Sequence, residues 1–374
     1  MTAVSIVGSG FVADLYMRSL ATFPDIRISA VYDRDNERCR QFCAHWNLTQ
    51  VETLNALFSS QPVGGVVLNL TNPRSHFDVN KACLEAGFHV YSEKPLATRM
   101  DDAQTLYELA QARGLLLASA PCSVLGEAAQ TLGRAIRTGV IGTPRLVYAE
   151  LDDGFIPQAP FRKWQSESGA DWPFEDEFQV GCTLEHAGYY LSWLIAYFGP
   201  VKTVVAASAE LVPGKLADGS GTPDFSVGTL FFESGMVARL TCSIVAPHDH
   251  RIRVIGDAGF LQVKKAWTND APVRFHRRFS VRRRLVENPI GRRMRLGKPT
   301  HPKVGRRGAA AMNFALGPVE MIEAIEQNRP CRLSSEFALH LNEVTLAIQN
   351  AGDSTGAQQM QTSCTRMEPM IWAN

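Results

Sequence analysis

The chain has 374 residues, a formal net charge of +1 and 45% hydrophobic residues. That length exceeds what a single growing core fills, so two domains are expected. The apolar fraction excludes a disordered polyelectrolyte, and the balanced charge excludes a surface that grips nucleic acid or membrane throughout.

No apolar run reaches the ~20 residues that span a bilayer. The opening stretch MTAVSIVGSG lacks the basic n-region of a signal peptide. The eight cysteines are scattered and form no C-x-x-C pair, so they are expected to be buried small hydrophobes. Together these features point to a cytoplasmic location.

The first 120 residues alternate short β runs with helical stretches. Ala3–Val7 reads as a strand ending in glycine. Phe11–Thr22 reads as a helix, Ile26–Tyr32 as a strand closed by Asp33, and Asn36–Trp46 as a helix. Gly65–Leu70 is apolar throughout, as in a strand covered on both faces. Arg74–Ala86 then reads as a helix with Gly87 at its C-cap. Phe88–Tyr91 (strand), Met100–Arg113 (helix) and Leu115–Ser119 (strand) complete the series. Strands alternating with ~12-residue helices imply βαβ units, a parallel sheet and a doubly wound fold.

Within this frame lies Gly8-Ser9-Gly10-Phe11-Val12-Ala13, a G-x-G-x-x-A pattern that follows a strand and opens a helix. Gly8 permits the tight turn, Gly10 lets a pyrophosphate approach the backbone, and Ala13 keeps helix and strand close. The helix start offers unpaired N–H groups to the anion. Asp33, 23 residues after Gly10, suits the adenosine ribose hydroxyls and favours NAD over NADP. Arg34 beside it is the residue that could accept a 2′-phosphate.

Thr71-Asn72-Pro73, with His76 beyond, and Ser92-Glu93-Lys94-Pro95 fall at further strand ends, where open α/β sheets bind ligands. Taken in order, Gly8–Ala13, Thr71–His76 and Glu93-Lys94-Pro95-Leu96-Ala97 resemble the glucose–fructose oxidoreductase/inositol dehydrogenase (Gfo/Idh/MocA) family. The resemblance implies a Rossmann domain followed by a C-terminal α+β domain with an open, mostly antiparallel sheet. It implies hydride exchange between a nicotinamide and a sugar or polyol carbon, with Lys94 on the reacting hydroxyl. By the same resemblance Glu93 sits near the nicotinamide, and Asn72 and His76 line the cofactor groove. Homo-oligomers through the C-terminal sheet are a further family expectation. The physical case for Lys94 is separate: an amine at a strand end beside a cationic nicotinamide has a lowered pKa and can shuttle a proton.

From Pro144 the character changes. Arg145–Leu151, Val201–Ser208, Ser226–Phe232, Met236–Ser243, Arg251–Gly256 and Gly259–Val263 read as strands, and Thr183–Phe198 as one clear helix. Family members usually carry Asp, then three residues, then His in this helix; here the two positions hold Glu185 and Tyr189. At i and i+4 they share a helix face. Glu185 could hold a hydroxyl toward the substrate, and Tyr189 could relay a proton if a cation such as Lys94 lowered its pKa. His186 is expected to face elsewhere, though a register slip keeps it a candidate. Arg162 and Trp164 precede the helix and are weak substrate candidates, an aromatic face with donors suiting a sugar. The nine histidines show no H-x-x-x-H or H-E-x-x-H spacing, so no metal site is expected.

Residues 274–307 contain thirteen of the 38 Lys and Arg but one acid, Glu287. The segment therefore carries +12 and the remainder −11. Its prolines and glycines disfavour a long helix. Three readings stay open: a solvated or self-docked loop, a clamp for a sugar phosphate, nucleotide-sugar or anionic glycan, and contact with nucleic acid or anionic lipid. Phe314–Gln327 and Ser335–Ala351 read as helices, the second capped by Ser334 or Ser335.

The expected organisation is a Rossmann domain over 1–121, a substrate domain over 122–352 and a C-terminal tail over 353–374, pinned by Trp372. The function expected first is NAD(P)-dependent oxidation or reduction of a sugar, polyol or sugar derivative. A redox-assisted glycosidase and a silent NAD-binding sensor remain alternatives.

Overall fold

The computed structural model describes residues 2–217, 219, 221–306 and 308–374. The first part runs β1 (Val4–Val7), α1 (Phe11–Leu20), β2 (Ile28–Tyr32), α2 (Asn36–Trp46), α3 (Leu54–Ser59), β3 (Val66–Asn69), α4 (His76–Glu85), β4 (His89–Ser92), α5 (Met100–Arg113) and β5 (Leu117–Ser119). The strands form one parallel sheet in the order β2-β1-β3-β4-β5. All residues of β1 and β3 are buried, which explains their unbroken apolar runs. The strand order reverses direction at β1, so the crevice between β1 and β3 opens at their carboxyl ends.

The second part begins with α6 (Glu127–Arg137), β6 (Pro144–Asp152) and α7 (Phe174–Val180). A π-helical turn (Thr183–Ala187) runs directly into α8 (Gly188–Phe198). Then come β7 (Val201–Ala209), β8 (Phe225–Phe232), β9 (Val237–Ser243), β10 (Ile252–Gly256), β11 (Gly259–Val263), β12 (Val273–Val281), β13 (Arg284–Glu287) and β14 (Arg292–Arg293). Helices α9 (Leu316–Glu326) and α10 (Ser335–Gln349) and strand β15 (Gln358–Gln359) close the chain. The second sheet runs β13-β12-β11-β10-β6-β9-β8-β7-β15, with β14 beside β12. Only β6 and β9 pair in parallel; the other ladders are antiparallel.

Every residue of α8 from Tyr189 onward is buried, as befits a helix that is apolar all round. Helix α10 packs against α5 on one side and against β7 and α8 on the other, tying the two sheets together. Ser334 Oγ accepts from Phe337 N at 3.2 Å and caps it. All eight cysteines are free and buried. Among the described residues no helix is long and apolar enough to cross a membrane.

Three differences from the sequence reading stand out. Helix α6 is absent from the sequence reading; its buried residues mix Gln130 and Thr131 with small alanines, Leu132 and Ile136. The basic segment is no simple loop: its first part forms strands β12 to β14 at the sheet edge, with Val273 and Phe275 of β12 buried. Arg307, its last cation, lies outside the described residues. The expected tail joins the fold: β15 pairs with β7, and Arg137 Nη2 donates to the Ala373 carbonyl at 2.9 Å. The Trp372 ring lies 6.2 Å from that of His301.

Candidate active site

The turn after β1 needs glycine for two reasons. Gly8 has φ +99°, and a Cβ there would stand 2.7 Å from the Leu70 carbonyl and the Thr71 nitrogen. Gly10 is different: nothing lies within 4 Å of the place its Cβ would occupy. That open space sits at the start of α1, where an anion would approach. Gly10, Phe11 and Val12 line a groove with Thr71, Asn72, Glu93 and Lys94.

Asp33 does more than wait for a ribose. Its Oδ2 accepts from Ser9 N at 2.7 Å and Ser9 Oγ at 2.9 Å. Its Oδ1 accepts from Asp35 N at 2.9 Å and Arg38 Nη2 at 2.7 Å. These bonds use a carboxylate's full acceptor capacity, so Asp33 pins the glycine turn to β2. Burial works to raise its pKa, but the donors from Asp35, Arg38 and Ser9 outweigh it and hold the carboxyl below its usual range. Its stabilising effect is therefore present above the unfolded carboxyl pKa and is lost as pH falls through the lower folded value. Asp33→Asn should lower Tm clearly at neutral pH and progressively less as pH falls below the ordinary carboxyl value of about 3.9, as read by a pH series of thermal melts. With Gly8, Arg34, Arg38 and Thr71, Asp33 lines a separate cavity of about 330 Å³ beside the groove.

Glu93 is buried, accepting from the Tyr16 hydroxyl at 2.6 Å and from Lys94 N at 3.1 Å. Lys94 Nζ ion-pairs with Glu185 across the cleft. Burial opposes the Lys94 charge, but Glu185, Glu177, Tyr189 and Glu93 overcome it, and its pKa is raised. The acids around Lys94 outnumber it, and they work against the lowering that a cationic nicotinamide would bring. Glu185 is pushed up to about 8, first by burial and then by Glu177, with Lys94 opposing. Burial also pushes the Tyr189 phenol up, and Lys94 offsets this only in part. The expected activation of Tyr189 by a neighbouring cation is thus outweighed. Its ring lies 4.3 Å from that of Trp267.

The π-helical turn explains how neighbouring side chains reach one cleft. A wider turn spreads its side chains differently from an α-helix. Glu185, His186 and Tyr189 all line the groove, so His186 does not face elsewhere. His186 also lines an adjoining cavity of about 520 Å³, together with Trp164, Trp172, Asp153, His248 and His250. Glu177, Glu185, His186, Trp172 and Trp267 border both spaces.

Two candidates move. His76 is wholly buried, its ring nitrogens 2.7 Å from the Pro95 carbonyl oxygen and 2.9 Å from that of Thr71. It braces the two cleft segments from behind rather than lining the groove. Arg162 lies over the Phe174 ring at 4.4 Å and borders another cavity, away from Lys94. The sequence reading missed Asp176, which binds Asn72 and Arg74 and so clips α7 to the strand-end segment. It also missed Trp172, Glu177 and Trp267, which no local motif marks. Sequence spacing offered no metal site, yet Asp153, His248 and His250 converge with their ligand atoms within 4.8 Å of one another. Asp153 follows β6 and the two histidines lie between β9 and β10, and the H-x-H spacing at 248 and 250 was the available signal.

The model of an oxidoreductase family with an NAD-binding Rossmann fold matches residues 2–120, and that of the GFO/IDH/MocA C-terminal domain matches 129–262. The chain belongs to the Gfo/Idh/MocA family. The family resemblance seen in the motifs therefore extends into the second sheet, as far as β11. A trans-1,2-dihydrobenzene-1,2-diol dehydrogenase of Mus musculus is 26% identical over 70% of this chain and 74% of its own. A UDP-N-acetylglucosamine 3-dehydrogenase from Acidithiobacillus ferrooxidans superposes with TM-score 0.69 at 19% identity, covering 94% of this chain and 97% of its own. A Bordetella pertussis dehydrogenase in complex with NADH and UDP-GlcNAcA gives 0.69 at 17%, covering 96% and 98%. These two likenesses establish a shared fold.

Proposed function

We propose that the chain is an NAD-dependent dehydrogenase that oxidises a carbinol carbon of a sugar, polyol or sugar derivative, or reduces the matching ketone. One observation carries this reading. The Lys94–Glu185 pair stands where the groove beside the glycine turn meets the larger aromatic-walled cavity. A hydride donor in one space and an acceptor in the other would meet at that pair.

Gly8 to Val12 would hold the pyrophosphate, with Asp33, Arg34 and Thr71 toward the adenosine end and Asn72 and Glu93 along the groove. The ionised Asp33 favours NAD over a 2′-phosphorylated cofactor. Bound nicotinamide supplies the hydride acceptor. Lys94 Nζ donates to the reacting oxygen and exchanges its proton with Glu185. Tyr189, held neutral by burial, acts as a second hydrogen-bond donor rather than as a base. Three carboxyls, Glu93, Glu177 and Glu185, surround a single ammonium, a balance that suits a cationic ring. Trp164 and Trp172 would offer the sugar an apolar face.

The proton reservoir makes a pH prediction. Carbinol oxidation releases a proton that the pair must accept, so kcat/KM for oxidation should rise with pH through about 8. Glu185→Gln should remove that limb, as a pH series of initial rates would show. The reaction itself is tested by following nicotinamide absorbance against sugars, inositols, UDP-sugars and aryl glycosides. Net reduction of NAD supports the dehydrogenase. Release of an aglycone without net absorbance change overturns it in favour of a redox-assisted glycosidase.

A further inference from the structure

The cavity beyond Glu185 contains ligating groups that hydride transfer does not use. Asp153 follows β6, while His248 and His250 lie between β9 and β10. Two backbone hydrogen bonds, Asp152 N to Asp249 O at 3.0 Å and Asp249 N to Asp152 O at 2.9 Å, draw these segments together as an antiparallel bridge. Side chains alternate along paired strands. With 152 opposite 249, the side chains of 153, 248 and 250 must share the other face, and they do: their ligand atoms all lie within 4.8 Å of one another.

The cluster is built rather than incidental. Asp153 Oδ1 is 2.6 Å from His250 Nε2, and Oδ2 is 3.3 Å from His186 Nε2. His186 Nδ1 lies 3.1 Å from the Cys182 carbonyl oxygen. A carbonyl only accepts, so Nδ1 carries the donated proton and Nε2 faces the Asp153 carboxylate. Two electron-rich groups so placed require a proton or a cation between them. The His250 ring stacks on Trp267 at 5.4 Å and meets the His248 ring at 4.0 Å, which fixes its orientation.

We propose that Asp153, His248 and His250, with His186 beside them, bind one divalent transition-metal ion at the substrate end of the cleft. Imidazole and carboxylate donors select an ion such as Zn²⁺, Co²⁺ or Mn²⁺ over Mg²⁺. Ligands about 2.1 Å from one ion stand about 3 Å apart or more, so loading replaces the Asp153–His250 proton and opens that contact by a few tenths of an ångström. Three protein ligands leave positions open toward the cavity. The ion there would anchor a substrate that presents two adjacent oxygens, as a vicinal diol or an α-hydroxy carboxylate does. The metal site stands independently of the dehydrogenase reading, because metal binding is read without turnover.

The test uses the full chain, stripped with chelator and titrated with Co²⁺ and then Zn²⁺. One equivalent of Co²⁺ should bind with visible d–d bands, and Zn²⁺ should displace it. Lys94→Ala should bind Co²⁺ as the parent does. Asp153→Asn and His248→Ala should weaken binding by about 100-fold or more, since even outer-shell partners reach that scale. His248 is exposed, so its variant keeps the test valid if Asp153→Asn does not fold. Absence of d–d bands in the parent, or equal affinity in parent and His248→Ala, would overturn the proposal.

Discussion

Lys94→Ala is expected to lower turnover by about 10³-fold, within the range that positioned acid–base groups supply, while NAD affinity stays within about tenfold. The ammonium stands amid Glu93, Glu177 and Glu185, whose charges hold it protonated. Removing it leaves those carboxyls to repel one another, so Glu185 should take up its proton at still higher pH. The variant therefore loses both the donor at the reacting oxygen and the acceptor behind it. Lys94→Arg should recover charge without recovering the geometry, and its turnover should stay low. Nicotinamide absorbance reads the turnover, and quenching of the tryptophan emission reads the NAD affinity. Turnover within tenfold of the parent would remove Lys94 from the mechanism.

Gly8→Ala is expected to abolish measurable NAD binding and to lower Tm by several degrees, since a strained backbone position costs about 1–3 kcal/mol. The new Cβ would meet the Leu70 carbonyl and the Thr71 nitrogen at 2.7 Å, and backbone cannot swing aside as a side chain can. Gly10→Ala should separate the two roles of the turn. Gly10 has φ −77° and an empty Cβ position, so the fold should tolerate the methyl. The methyl would occupy the space where a pyrophosphate approaches, so NAD affinity should fall while Tm holds. Thermal melts and NAD titration of both variants decide the matter. A Gly10→Ala chain that binds NAD as the parent does would move the pyrophosphate away from this turn.

The parallel sheet was legible because its signals are local. β1 and β3 are unbroken apolar runs, and Gly8, Asp33 and Lys94 sit at strand ends where doubly wound sheets collect ligands. The second half was legible as strands through the alternation seen in β8 and β9. Helix α6 was not read, although Leu132 and Ile136 lie on its buried side with Ala128, Ala129 and Ala135. Nor were β12 to β14, where arginines on the open face mask the inward Val273 and Phe275. Within the site, Lys94, Glu185 and Tyr189 were singled out by motif, spacing and family resemblance, and they share one groove. The charge balance around them was not, because Glu177 approaches from α7 and burial overrides the pull of Lys94 on Tyr189. His76 misled for a related reason: its position in the motif is right, but its ring turns inward to Pro95 and Thr71. The Asp153–His248–His250 cluster depends on one antiparallel bridge between segments far apart in the chain, and the H-x-H spacing marks only two of its three members.

The junction of groove and cavity at Lys94–Glu185 is the centre of the account. Its most direct test is isotope transfer from a sugar or polyol substrate bearing deuterium on the carbinol carbon. Mass spectrometry of the cofactor after one turnover should show one deuterium carried to the nicotinamide, and Lys94→Ala should slow that transfer in step with turnover. Substrate conversion with an unlabelled cofactor would contradict the account.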